Sequence, residues 1–168
     1  ETHAPLSTIP SQGSHHWLRV IFTGIAWASY LLLTPALQAQ IIADPNAPGH
    51  QQPTVGITAN GVPQVDIQTP NAVGLSHNFY QQFDVPQNGV ILNNSREEVQ
   101  TQLGGLVNRN PHLINSGPAK TILNEVRSSD PSILKGFMEV AGQSAHVIVS
   151  NPSGITCDGC GFINAYRS

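Results

Sequence analysis

The feature that most constrains this chain is a rhythm of short apolar runs stopped by Asn, Pro and Gly. It is clearest from His146 to Asn164, HVIVSNPSGITCDGCGFIN. Val147-Ile148-Val149 is a run of strand formers, and Asn151-Pro152-Ser153-Gly154 is a turn. Ile155-Thr156 is a second apolar step, Cys157-Asp158-Gly159-Cys160 a tight loop, and Phe162-Ile163-Asn164 a return to strand character. Proline presets φ at the second position of such a turn, and Gly154 can take the positive φ that the exit often needs. A long helix has no room between these stops, so the expectation is a ribbon of short strands that turns corners.

The same grammar runs upstream. Ile41 to Val55 is expected to be loop, because Pro45, Pro48 and Pro53 exclude a long helix or a central strand. Val55-Gly56-Ile57-Thr58 and Val65-Asp66-Ile67 flank Asn60-Gly61, a hairpin or corner signal. Thr69-Pro70-Asn71 and Pro86-Gln87-Asn88-Gly89 read as further corners, and Val90-Ile91-Leu92 as a buried step. In GLSHNFYQQFDV the expected inward set is Phe79, Phe83 and Val85, although the spacing of Phe79 and Phe83 also fits one helical turn. Arg96 to Leu106, REEVQTQLGGL, is the one charged patch with helical character; an exposed excursion from a sheet fits it better than a binding helix. Asn110-Pro111-His112-Leu113 repeats the Asn-Pro corner of Asn151-Pro152, and Thr121 to Val126 and Ile133 to Val140 read as strands.

Composition narrows the function classes. Charged residues make up 10% of the 168, against about 25% in ordinary soluble domains. A helical bundle wants Ala, Leu, Glu and Lys, whereas here Asn, Gln, Ser and Thr supply the polarity alongside 15 Gly and 13 Pro. The net charge is -3 and the seven Lys and Arg are scattered singly, so no nucleic-acid footprint is present. An all-β chain with many turns fits best. Rungs of such strands could stack as a solenoid, with inward apolar residues forming one core and corner Asn residues bonding along the axis. No exact numeric repeat is visible, so a β-sandwich stays open on the residues alone.

Residues 1–39 read as a signal peptide region. Val20 to Leu33 is fourteen uncharged residues, short of the about twenty that a membrane span needs and suited to a signal-peptide core. Arg19 precedes it, Pro35 breaks it, and small Ala39 places the expected cleavage between Ala39 and Gln40. A core helix or a retained anchor is the alternative. Export through the inner membrane then puts the mature chain, secreted or on the outer cell surface, in an oxidising environment.

The order GLSHNFYQQFDV, GVILNNS, TQLGG, NPHL, ILNEV, NPSGITCDGCGFIN resembles the secretion domain of two-partner-secretion exoproteins. That family includes filamentous haemagglutinins, large haemolysins and contact-dependent growth-inhibition toxins. Its two Asn-Pro motifs, NPNL and NPNGI, correspond to Asn110-Pro111-His112-Leu113 and Asn151-Pro152-Ser153-Gly154-Ile155, with His112 and Ser153 in place of Asn. These two changes are expected to weaken one polar contact while leaving the turns intact. The resemblance implies a right-handed parallel β-helix over residues 65–168, with residues 40–64 as N-terminal linker and capping β elements. It also implies recognition by an outer-membrane transporter with polypeptide-transport-associated domains and a β-barrel, the two Asn-Pro motifs serving as turn and recognition elements. The family's domain continues for several further turns before a long passenger, so a C-terminally truncated member is expected. Contact with a host or target cell would then come through that passenger.

The residues themselves suggest no enzyme, cofactor or metal. There is no nucleophile elbow, phosphate loop or carboxylate pair, and Asp66, Asp84, Asp130 and Asp158 are isolated, each suited to a turn. Cys157 and Cys160 are the only cysteines. A structural disulfide is the favoured reading; a thioredoxin-like redox pair lacks its βαβ context, a zinc site would need two more ligands such as His112 and His146, and an inert reduced pair stays open. Parallel β-helices also occur as polysaccharide lyases, but these need a charged cluster that so few charges do not provide. The rival to the secretion reading is a stand-alone secreted β-solenoid that binds glycans or host surfaces.

Overall fold

The computed structural model describes residues 40–166. The expected signal segment, including Ala39 at its cleavage site, lies outside them. In chain order the strands are β1 (Ile41–Ala43), β2 (Thr54–Ile57), β3 (Pro63–Asp66), β4 (Leu75–Phe83), β5 (Val90–Asn94), β6 (Val99–Gln100) and β7 (Leu106–Val107). They continue as β8 (Thr121–Val126), β9 (Ser132–Leu134), β10 (Phe137–Gly142), β11 (His146–Ser150), β12 (Ile155–Cys157) and β13 (Gly161–Ile163). Among the described residues there is no α-helix, only two short 3-10 turns at Gly49–Gln51 and Pro111–Leu113.

The strands stack in parallel on three faces. One face carries β4, β8 and β11 side by side; a second carries β3, β5, β10 and β13; the third carries β9 and β12, which Val85 extends by bridging to Leu134. The chain visits the faces in a fixed cycle, β8 to β9 to β10 and then β11 to β12 to β13, which is a parallel β-helix. Met138 pairs with Phe162 and Leu134 with Cys157, an offset of roughly 24 residues and thus a solenoid period. One turn earlier, Val90 pairs with Met138 and Leu75 with Thr121. That doubled offset arises because residues 95–118 leave the helix between β5 and β8, and it is why no numeric repeat shows in the sequence.

The excursion is a small hairpin rather than a helix. β6 and β7 pair antiparallel around Thr101 to Gly105. It covers the outer face of the second sheet, where Val62, Ile91, Val107 and Ala141 are buried and Val99 and Leu103 pack against them. Its anchor is Glu139, 5% exposed on β10. The two carboxylate oxygens of Glu139 accept the backbone N–H groups of Gln102 and Leu103 at 2.7 and 2.8 Å. A carboxylate satisfied by N–H donors tolerates burial that it would otherwise resist.

Strand alternation builds the interior. β8 alternates half-buried and buried along TILNEV, sending Ile122, Asn124 and Val126 inward. β4 begins in the same phase with Ser76, Asn78 and Tyr80 inward, then slips. β1, antiparallel on β4, pairs Ala43 with Tyr80 and Ile42 with Gln82, so a bulge at Gln81 brings Phe83 inward as well. The expected inward set is therefore corrected at one position: Phe83 and Val85 are fully buried, but Phe79 faces outward under the Arg127 guanidinium at 4.7 Å, and Tyr80 occupies the core. Tyr80 meets Phe83 edge-on at 4.8 Å between centroids and donates its hydroxyl to Asn124 Oδ1 at 2.9 Å. Complete burial pushes its phenol well above the ordinary tyrosine range, keeping it a neutral donor. With Ile122, Leu134, Met138 and Val140 also buried, each large side chain contributes about 1.5–3 kcal/mol.

The first turn is capped on two faces. β1 lies antiparallel on β4, and β2 lies antiparallel on β3 across the predicted Asn60-Gly61 corner, where Gly61 adopts φ 82. The region expected to be loop thus holds β1 and the start of β2; the prolines at 45, 48 and 53 keep these strands short and at the edge, where a missing N–H does no harm.

Replacing Glu139 with Gln leaves one of the Gln102 and Leu103 N–H groups facing a donor. We expect a loss of about 1–3 kcal/mol in urea-denaturation stability, with hydrogen exchange accelerated selectively at Gln102 and Leu103. Unchanged protection at both amides would show that the hairpin is held by its apolar contacts instead.

Candidate functional site

The two Asn-Pro motifs fold into the same kind of turn. At Asn110, Oδ1 accepts the His112 N–H at 2.8 Å and the backbone carbonyl accepts the Leu113 N–H at 3.1 Å. At Asn151, Oδ1 accepts the Ser153 N–H at 2.9 Å and the carbonyl accepts the Gly154 N–H at 3.0 Å. Proline at the next position holds φ for both, so the side chain imitates one residue of backbone and tightens the turn. The amide nitrogen is left facing outward from the turn, with two hydrogens to place.

Those hydrogens join parts of the chain distant in sequence. Asn110 Nδ2 donates to the carbonyls of Ile67 and Asn93 at 2.9 and 2.8 Å, and the Asn110 N–H donates to the Ser95 carbonyl at 2.8 Å. One fully buried residue, through its side chain and its backbone N–H, therefore ties the end of β3, the end of β5 and the neck of the excursion. Asn151 Nδ2 donates to the Asp130 carbonyl and to Ser132 Oγ, each at 2.9 Å, while the Gly154 carbonyl accepts the Ser132 N–H at 3.0 Å. This corner ties the last described turn to the one before it. Gly154 takes φ 108 there, a conformation that other residues adopt only with strain.

The flanking motif residues divide by depth. Leu113 is fully buried, whereas Pro111, Pro152, Ser153 and Gly154 are exposed and Asn151 is half-buried. Ile155 pairs with buried Ser132 and is 43% exposed. His112 makes a contact of its own: Nε2 lies 3.0 Å from Thr54 Oγ1 on β2, and its carbonyl accepts Thr69 Oγ1–H at 2.6 Å, so the motif is fastened to the cap. Ser153 Oγ donates to the Ser128 carbonyl at 3.3 Å. The two motifs sit at different corners and share no hydrogen bond or strand pairing among the described residues.

Two further corners close in the same way, one in the proline-bearing stretch after Ile41 and one at the predicted Thr69-Pro70-Asn71 corner. Asp44-Pro45-Asn46 repeats the turn with a carboxylate, Asp44 Oδ1 accepting the Asn46 N–H at 2.9 Å and its carbonyl the Ala47 N–H at 3.1 Å. Lacking an amide to donate, Asp44 faces Arg127 Nη1 at 3.8 Å instead. Asn71 closes its own turn by accepting the N–H groups of Val73 and Leu75, both at 3.0 Å. The Asx-Pro pair at residues 44 and 45 was legible as the same signal. Inside the helix, Asn94 does comparable work: Nδ2 donates to the carbonyls of Ala119 and Gln143, and Oδ1 accepts the Ala119 N–H at 2.7 Å.

Cys157 and Cys160 form a disulfide, closing the tight loop beside β9, where the Asp158 N–H donates to the Leu134 carbonyl at 2.8 Å. The residues weighed as zinc partners lie elsewhere, His112 at the cap and His146 against the Tyr166 ring at 5.1 Å. The isolated aspartates hold structure. Asp66 accepts Asn93 Nδ2 at 2.7 Å, Asp84 accepts the Ile133 N–H at 2.7 Å, and Asp130 supplies its carbonyl to Asn151. His77 pairs with Glu125 at 2.8 Å and with Gln51 of the cap at 3.1 Å.

Comparison with known proteins agrees with this architecture. Residues 39–168 match the family described as the TPS secretion domain. The chain is 53% identical over 165 residues to the toxin CdiA of Yersinia pestis, covering 95% of this chain and 5% of that protein. It is 49% identical over 137 residues to a tRNA nuclease CdiA of Escherichia coli (strain STEC_O31), covering 81% of this chain and 4% of that protein. A hemolysin of Proteus mirabilis is 51% identical over 120 residues, covering 71% of this chain and 8% of that protein. Among solved structures, the filamentous hemagglutinin secretion domain superposes with a TM-score of 0.66 at 37% identity, over 74% of this chain and 39% of that one. The chain thus spans less than a tenth of the length of the toxin, nuclease and hemolysin it matches, and it belongs to the TPS secretion-domain family.

Proposed function

We propose that this chain directs an exoprotein to an outer-membrane transporter and then serves as the folding template on which the passenger is laid down. The observation that carries the reading is the Asn110 corner, where one side chain joins three segments far apart in sequence. In an extended, transported chain those partners are separated and the Asn-Pro segments are free to be read. The transporter's periplasmic domains would take such a segment as an added strand on a sheet edge. Once outside, each turn that docks buries apolar area worth about 25 cal/mol per Å² and opposes return. Because solenoid stability is largely nearest-neighbour, the capped first turn is the template. The chain itself has no part in catalysis; the relatives' nuclease names describe proteins of which it matches 4%.

Export begins at the inner membrane, with residues 1–39 as a signal peptide and Gln40 as the mature N-terminus. N-terminal sequencing of the secreted protein should read QIIADP; a start elsewhere rejects the cleavage site.

Asn110→Ala and Asn151→Ala should both reduce transporter-dependent secretion, measured as culture-supernatant protein in cells expressing the partner transporter. Asn110→Ala should be the more severe, because it strands buried carbonyls of Ile67 and Asn93 at about 1–3 kcal/mol apiece, whereas Asn151 is half-buried. Secretion of both at wild-type level would remove the motifs from the recognition reading.

Cys157→Ser with Cys160→Ser should leave secretion largely intact and lower stability by about 2 kcal/mol or less, since a short closed loop restricts the unfolded chain little. Turnover of an external disulfide by the wild-type chain, lost in Cys157→Ser, would overturn the assignment of the pair as a structural bridge.

A further inference from the structure

The neck of the excursion forms a cleft that the secretion reading does not use. The Asn110 N–H to Ser95 carbonyl bond closes the excursion at its base. Arg96 and Arg109 are the first residues beyond that bond on either side, so chain closure itself brings the two arginines to one place. Both line a cleft of about 520 Å³, within the size range of ligand-binding clefts. Its floor is rigid, because Asn94 is fixed by bonds to Ala119 on one side and Gln143 on the other.

The lining has the character of an anion site with room for more than an ion. Among the described residues neither arginine takes part in an ion pair, and five of the chain's cations are described, two of them here. One carboxylate, Glu97, lines the cleft without pairing to either arginine. Ile114, 46% exposed, and Pro118 form an apolar wall, and the exposed Gln143 brings an amide that makes no side-chain hydrogen bond among the described residues. Guanidinium forks match the oxygens of phosphate and sulfate. An aliphatic wall suits the C–H face of a pyranose, and a free amide suits its hydroxyls.

We propose that this cleft binds a tetrahedral oxyanion carried on a sugar, a phosphate or sulfate ester of a surface saccharide. Arg96 and Arg109 hold the ester oxygens, while Ile114, Pro118 and Gln143 hold the ring. The cleft exists only once the excursion has folded, so the proposal stands or falls separately from export.

Calorimetric titration of the purified chain tests it. Glucose 6-phosphate or glucosamine 6-sulfate should bind saturably, glucose should not bind, and inorganic phosphate should bind more weakly than the sugar ester. The stronger of the two esters distinguishes a phosphorylated from a sulfated source. Arg96→Ala with Arg109→Ala should weaken binding by about tenfold or more, Glu97→Gln should tighten it, and Lys135→Ala, away from the cleft, should leave it unchanged. Circular dichroism and secretion of the double variant should match the parent. Absence of saturable binding to both esters, equal affinity for inorganic phosphate, or undiminished binding by the folded double variant would overturn the assignment.

Discussion

The structure depends on asparagine side chains that satisfy the backbone where strands stop. A β-helix turns a corner on every face, and each corner leaves carbonyl and N–H groups with no strand to pair with. Buried and unpaired, such groups cost about 1–3 kcal/mol each. Asn110 supplies an acceptor to its own turn and two donors to β3 and β5, and Asn94 performs the same task between Ala119 and Gln143. Asn164, with φ 54, donates to the carbonyls of Val140 and Gly142. Among the described residues no buried side-chain polar atom is left without a partner.

This dependence accounts for the composition. Asparagine carries a donor and an acceptor on a short, uncharged stem, so it works inside the coil where a charged group would need a counterion or dedicated N–H donors. The few carboxylates that are buried obey the same rule by accepting N–H groups, as Glu139 does from the excursion and Asp84 from Ile133. Few charges and short strands also mean that isolated segments are weakly held, and stability accrues as turns stack. Met138 is fully buried between Val90 and Phe162, its partners on the neighbouring turns.

Two sets of residues emerge with separate physical roles. The Asn-Pro corners bind the chain to itself, through bonds that an extended chain does not make. The arginines at the neck of the excursion are brought together only by folding. On the two proposals made above, the domain would present one chemistry to the transporter and another to the surface it reaches.

The all-β class, the corners at Asn60-Gly61, Asn110-Pro111 and Asn151-Pro152, and the strands around Val90, Thr121 and Val147 were legible in the sequence, because turn chemistry and side-chain alternation are local. The family was legible too, through an ordered set of motifs. Tertiary structure decided the rest. It placed Tyr80 rather than Phe79 in the core, because the bulge opposite Ile42 and Ala43 shifts the phase of β4. It made Arg96 to Leu106 a hairpin, because Glu139, more than thirty positions away, offers two acceptors to its turn. It also concealed the repeat, because the excursion doubles one turn's length along the chain while leaving its place in the stack unchanged. Pairing between turns joins residues far apart in sequence, and the energy that selects those partners exists only once both are in place.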